Sequence, residues 1–238
     1  MAILYIVGGL IILAVNIKNV PSAFGMIFKY AFMPQALFGG SVGALLKNAI
    51  SQGAKRGLFS NEAGMGSTPH AHALAKVEKP HDQGVIAMAG VFIDTFVVLT
   101  MTALVVISTL YSKGGVLATG VAAEGVEVTK ANMAQLAFGS VFGEKGGNIF
   151  VAICLLFFAF STIIGWNLFG KTNMVYLFGK KSEKIYAAIA VIFVFLGACL
   201  SNDLVWELTD MFNQLMVIPN VLALAVLSGF VAKKVKKK

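Results

Sequence analysis

Charge is what this chain has least of. Of its 238 residues, 13% are Asp, Glu, Lys or Arg, against about a quarter in ordinary soluble domains. With 58% hydrophobic residues and a mean hydropathy of +0.82, that scarcity excludes a water-soluble globule. It predicts an all-α, polytopic helical membrane protein. Arginine is scarcer still, Arg56 standing alone among 19 basic residues. The net charge of +8 therefore does not point to nucleic acid, whose readers lean on arginine; the lysines gather in loops and at the tail. The two cysteines, Cys154 and Cys199, each sit in an apolar run, which predicts packed thiols rather than a disulfide or a metal site. Met1 runs straight into apolar residues without the basic n-region of a signal peptide. No nucleophile–base pair or phosphate loop is evident. Gly64-Met65-Gly66 lacks the third glycine and the preceding strand of a dinucleotide fingerprint. An enzyme, such as an intramembrane hydrolase, is not expected, and neither is a cofactor.

What the chain has is apolar runs. The first, residues 2–17, is at the short end for a core that needs about 20 residues and begins abruptly. Residues 20–32, opening on Pro21-Ser22, are amphipathic and fit a helix lying in the interface. A second crossing starts near Gln35, where Gly39 and Gly43 would let another helix come close. A third, 83–110, carries Asp94 followed by Thr95, Thr100 and Thr102. Residues 111–143 are polar and glycine-rich, with an amphipathic helix at 130–142, and read as a lid-like extramembrane loop. Further spans follow at 148–169, 185–200 and 204–231. Pro219 is expected to kink the last of these or end its first half.

Six crossings put both termini on one side. Lys76, Lys79, Lys171, Lys180, Lys181, Lys184 and the tail lysines fall there. Opposite them, Lys18, Lys29, Lys113, Lys130 and Lys145 are diluted by Glu124, Glu127, Glu144 and Asp203. The excess of positive charge predicts a cytoplasmic tail. The expected organisation is one membrane domain over 1–238, with 111–145 extracellular and 233–238 a cytoplasmic basic tail.

The remaining chain is organised around Gly57-Leu58-Phe59-Ser60-Asn61-Glu62-Ala63-Gly64-Met65-Gly66-Ser67-Thr68-Pro69. Glycine inside a helix costs roughly 1 kcal/mol against Ala, and Thr68-Pro69 reads as an N-cap followed by proline at the first helical position. The expectation is a helix ending near Phe59 and another beginning near Pro69. Within a membrane such a break survives only when buried in protein or lining a polar cavity, and broken helices carry the binding sites of many secondary transporters. A cytoplasmic-edge turn before a short surface helix is the alternative. Lys47, Lys55 and Arg56, just before the break, either face a water-filled cavity or mark the cytoplasmic edge.

The intramembrane acids Glu62 and Asp94 are functional candidates, since ionisable groups there are expensive; alternatively each pairs with a lysine or a backbone N–H and only locks the bundle. Ser161 and Thr162 offer oxygens suited to sodium, or bond back to the previous turn. Trp166, on the same helical face as Thr162, could wall a small apolar substrate or serve as an interfacial anchor. His70 and His72, about 200° apart around a helix, fit a helix turn better than a metal site.

The segment from Gly53-Ala54-Lys55-Arg56 through Gly57-Leu58-Phe59-Ser60-Asn61-Glu62-Ala63-Gly64-Met65-Gly66-Ser67 closely resembles the signature of the alanine or glycine:sodium symporter family, the amino acid carrier proteins. Gly90-Val91-Phe92-Ile93-Asp94-Thr95, Phe160-Ser161-Thr162-Ile163-Ile164-Gly165-Trp166 and Asp203-Leu204-Val205-Trp206 also look like blocks of that family. The resemblance runs from near Leu4 to the tail. It implies the C-terminal part of a LeuT-type inverted-repeat fold and sodium-coupled uptake of alanine or glycine across the cytoplasmic membrane. It makes the broken span the counterpart of the second repeat's discontinuous helix, and the 161–166 helix a wall of the substrate and sodium sites. The candidate substrate residues are then Asn61, Glu62, Gly64, Ile164 and Trp166; the candidate cation residues are Ser161, Thr162 and Asp94. Family members also carry a first repeat, with its own broken helix, that has no counterpart here. The expectation is a C-terminal portion of a symporter or one half of a split one, partnered by an N-terminal repeat on the same or a separate chain and inactive alone. The alternative is a non-transporting membrane partner or structural remnant that only binds other helices.

Overall fold

In hydrocarbon a backbone must satisfy its own hydrogen bonds, which favours the helix, and every regular element described is helical. The computed structural model describes residues 2–32, 42–129 and 131–235, and the side chains within them except those of 30–49 and 234–235. In chain order the elements are α1 (Ala2–Val15), α2 (Val20–Phe32), α3 (Val42–Ser60), α4 (Thr68–His72), α5 (Pro80–Phe92), a π-helical segment (Ile93–Leu99), α6 (Thr100–Leu110), α7 (Met133–Phe142), α8 (Glu144–Phe178), α9 (Ser182–Cys199) and α10 (Asn202–Val235).

Among the described residues, four stretches are long and apolar enough to cross a bilayer: Pro80–Leu110, Glu144–Phe178, Ser182–Cys199 and Asn202–Lys233. Ala2–Val15 with Val20–Lys29, bent by 103°, would make a fifth. The chain is an all-α polytopic membrane protein. Six crossings were expected; the difference lies at α3, whose Lys47, Lys55 and Arg56 make it too polar to qualify. The expected start of that crossing near Gln35, with Gly39, lies outside the described residues, as do Lys130 and the end of the basic tail at Lys236, Lys237 and Lys238. Gly43, the other half of the expected small-residue contact, is on α3, but its surroundings are not among the described side chains.

The helices fall into two compact units. The first comprises Met1–Ala49 and Phe92–Thr162 and has an apolar core of Ile12, Met101, Val105, Leu110, Leu117, Ala137, Phe138 and Val151. α6 is its axis: α1, α2 and α7 all pack on it. Close approach of α1 depends on Gly8 and Gly9, where a Cβ would come within 2.5 Å of the Phe150 ring and 2.7 Å of Met101 Sδ. Tyr5 and Thr102 share a hydrogen bond of 3.1 Å between their hydroxyls, and Asn19 Nδ2 donates to the Ser108 carbonyl at 3.2 Å. α7, read from the sequence as part of a lid, contributes the buried Ala137 and Phe138 to this core. The Phe138 ring stacks on Phe150 at 5.1 Å and on Tyr5 at 5.6 Å. The amphipathic pattern was that of a helix with a core to cover.

The second unit comprises Ile50–Val91 and Ile163–Lys238. Among its described residues only Met65, Ser67 and Ser182 are buried, so polar ties between helices take the place of an apolar core. Lys171 on α8 pairs with Glu183 on α9 at 2.6 Å. Gln83 Nε2 donates to His72 Nδ1 at 2.7 Å, joining α5 to α4. Gly170 leaves the space that the Tyr186 hydroxyl fills. α10 continues through Pro219, which does not end its first half: one lost N–H bond is tolerated in an apolar helix. Cys154 is packed, whereas Cys199 is exposed on α9, because the last turn of that helix has no neighbour covering it among the described residues.

Candidate functional site

The break between α3 and α4 is built from its own side chains. α3 ends at Ser60, and Glu62 takes a φ of +58°, the left-handed region that costs a non-glycine residue roughly 1–2 kcal/mol. Such strain persists only where the surroundings hold it, and it is concentrated at functional positions. Glu62 is held three ways. Its N–H donates to the Phe59 carbonyl (3.2 Å), and its own carbonyl accepts from Met65 and Gly66 N–H (3.2 and 3.0 Å). Its Oε2 accepts from the buried Ser67 hydroxyl at 2.8 Å. Asn61 Oδ1 accepts the Ala63 N–H at 3.1 Å, the Asx geometry that lets this residue type turn a chain. Gly66, at φ +74°, completes the turn. The helix boundary falls one residue before the expected cap: Ser67, not Thr68, flanks α4, and its side chain makes no cap, because the Ser67 hydroxyl is committed to Glu62.

Two other helices reach this turn. From α10, Asn220 Nδ2 donates to the carbonyls of both Ala63 and Gly64, each at 2.9 Å. A Cβ on Gly66 would lie 2.5 Å from Asn220 Oδ1, and one on Gly64 would strike Leu58. Further back on α3, the Arg56 guanidinium forks onto Asp210 at 3.1 and 3.2 Å and lies 4.9 Å over the Trp206 ring. Phe59 meets the same indole edge-on at 6.5 Å. Arg56 thus faces an acid on a neighbouring helix. Between these ties is a cavity of about 20 Å³ lined by Lys55, Leu58, Phe59, Met65, Asp210, Asn213, Gln214 and Val217. Asn213 Nδ2 is buried there without a hydrogen-bond partner among the described residues. From α8, Asn173 Oδ1 lies 3.1 Å from His70 Nε2, while His70 Nδ1 lies 2.8 Å from the Ser67 carbonyl.

Of the expected substrate residues, the turn brings Asn61, Glu62 and Gly64 together. Ile164 and Trp166 stand on α8, Ile164 exposed and Trp166 half-buried. Trp166 packs edge-on against Phe169 at 6.0 Å, and Phe169 in turn lies 6.0 Å from the His70 ring. The expected cation residues belong to the first unit. Asp94 is half-buried in the π-helical segment, a rare geometry frequently found at functional sites. Ser161 donates to the Phe158 carbonyl at 3.0 Å, the back-bonding that its place in a helix allowed, and Thr162 is exposed. Asn220, Asp210 and Asn213 escaped sequence reasoning. Their one signal was an amide or acid on a helix otherwise apolar enough to span.

The profile of the sodium:alanine symporter family matches residues 1–237. The chain belongs to the sodium:alanine symporter family. It is 41% identical over 237 residues to the sodium/alanine symporter AgcS of Methanococcus maripaludis, covering 99% of this chain and 49% of AgcS. It is also 41% identical over 236 residues to an uncharacterized transporter of Haemophilus influenzae, with the same coverage. Similarity to the amino-acid carrier protein AlsT of Bacillus subtilis is 36% over 243 residues, covering 100% of this chain and 47% of AlsT. The chain spans about half the length of these relatives.

Proposed function

We propose that this chain takes part in sodium-coupled symport of a small neutral amino acid, alanine or glycine, across the cytoplasmic membrane. The observation that carries the reading is the family match over residues 1–237; the name of the relative AgcS, a sodium/alanine symporter, supports alanine. In this reading Asn61, Glu62 and Gly64 on the turn, with Ile164 and Trp166 on α8, contribute to substrate binding. Ser161, Thr162 and Asp94 contribute oxygens for sodium, the coupling ion. A carboxylate held in a strained turn suits such work, since the Glu62 backbone is fixed by Phe59, Met65 and Gly66 and its Oε2 by the Ser67 hydroxyl. The basic tail is cytoplasmic on the distribution of the lysines, and with α3 as the sixth crossing both ends of the chain lie there. Residues 111–145 face the outside. The transporter is completed by an N-terminal repeat, on the same or a separate chain.

The test is uptake of labelled alanine into proteoliposomes by full-length AgcS, with a sodium or a choline gradient. Substitution at the positions aligned with Glu62 (to Gln) and Trp166 (to Ala) is expected to lower uptake at least tenfold while expression and elution profile hold. Loss of folding instead would mark these as packing residues and favour the non-transporting reading. Unchanged uptake would remove them from the site.

A further inference from the structure

We propose that Asn220 is a positioning residue whose amide latches the 61–67 turn to α10, and that this joint is made to open. Three observations converge on it. Asn220 Nδ2 sits where two successive carbonyls, of Ala63 and Gly64, point at one donor, 2.9 Å from each. Those carbonyls lie in the turn between α3 and α4, outside either helix ladder, so the break is satisfied by a side chain from another helix. Gly66 has its left-handed φ and no room for a Cβ beside Asn220 Oδ1, so the turn is shaped to this amide. Between the latch and the Arg56–Asp210 pair, the joint is underpacked. A cavity with the room of about one water lies there, with the Asn213 amide nitrogen unpartnered among the described residues. With Met65 the one buried apolar side chain among the described residues of the turn, opening the joint exchanges a few hydrogen bonds and uncovers little core. The latch stands whichever amino acid the family member carries.

The test uses the full chain in detergent, with Met65→Cys as reporter in a Cys199→Ser background. Met65 is 3% exposed and Cys154 is buried, so maleimide labelling reads opening of the turn. Asn220→Ala should raise the labelling rate roughly tenfold, the worth of two ordinary hydrogen bonds. Asn220→Asp, equal in size but presenting oxygen to both carbonyls, should raise it at least as much. Asn220→Gln, which keeps the donor, should fall between Asn220→Ala and the parent. Labelling of Asn220→Asp at the parent's rate would mean that the residue only fills space, and the proposal would fail. Should the Asn220 variants not elute as single species, Asp210→Asn decides. The latch predicts labelling within about threefold of the parent, because the amide that replaces the carboxylate still accepts from Arg56 and both Asn220 bonds are untouched; a tenfold rise would show that the joint as a whole, not the amide, protects Met65.

Discussion

At the residue scale, glycine means opposite things at two places in the same stretch. Gly57 lies inside α3 with nothing within 4 Å of where a Cβ would go, so Gly57→Ala should stabilise the chain by about 0.5–1 kcal/mol. Gly66 needs its left-handed φ and would press a Cβ onto Asn220, so Gly66→Ala should cost about 1–2 kcal/mol from backbone alone. Thermal unfolding in detergent should shift up for the first and down for the second; shifts of the same sign would contradict the turn geometry. The break itself was legible, because glycines and a Thr-Pro pair interrupt an apolar pattern locally. Glu62's strained backbone was not, since only Gly and Asn advertise that conformation in a sequence. Asn220 was not legible either: its partners lie far away along the chain, and a contact at that distance leaves no periodicity to read.

At the element scale, the apolar runs placed most helix ends to within a few residues, because hydrophobic length is a local property, though α8 runs on to Phe178, well past the expected end at 169. What they could not give is which helix covers which. α7 read as an amphipathic helix in an extramembrane loop, without a sign of what its apolar face covers; Phe138 is 1% exposed in the core of the first unit. Phe138→Ala should therefore cost about 3–5 kcal/mol. Phe157→Ala, on a residue 51% exposed on α8, should cost far less. Equal losses of melting temperature in the two variants would show that α7 does not pack as described. Of the two outcomes expected at Pro219, a kink or an end to the first half, the second does not occur, because α10 has no better way to satisfy its backbone groups in hydrocarbon than to stay helical.

At the scale of the molecule, membrane character was the most legible property, since it follows from composition. The four spans bury at most 11% of their apolar windows inside the protein, and Asn202–Lys233 buries 0%. Surface of that kind needs lipid or further protein. The chain should stay in the membrane pellet through an alkaline carbonate wash and leave it only with detergent; release by carbonate would refute the spans. The number of crossings was less legible, because α3 mixes apolar and basic residues and hydropathy alone cannot say what its cations face. Arg56 answers for itself through Asp210, a residue that no window around α3 contains.

The π-helical turn at Ile93–Leu99 has a consequence for phase. A surplus residue in one turn of a helix advances everything after it by about 100° and 1.5 Å relative to an uninterrupted helix. Met101, Thr102 and Val105 lie just beyond it, and they are the residues that meet Gly9, Tyr5 and the first unit's core. The span therefore carries two faces out of step with each other, one containing Asp94 and one turned to α1, and a single residue sets the offset between them.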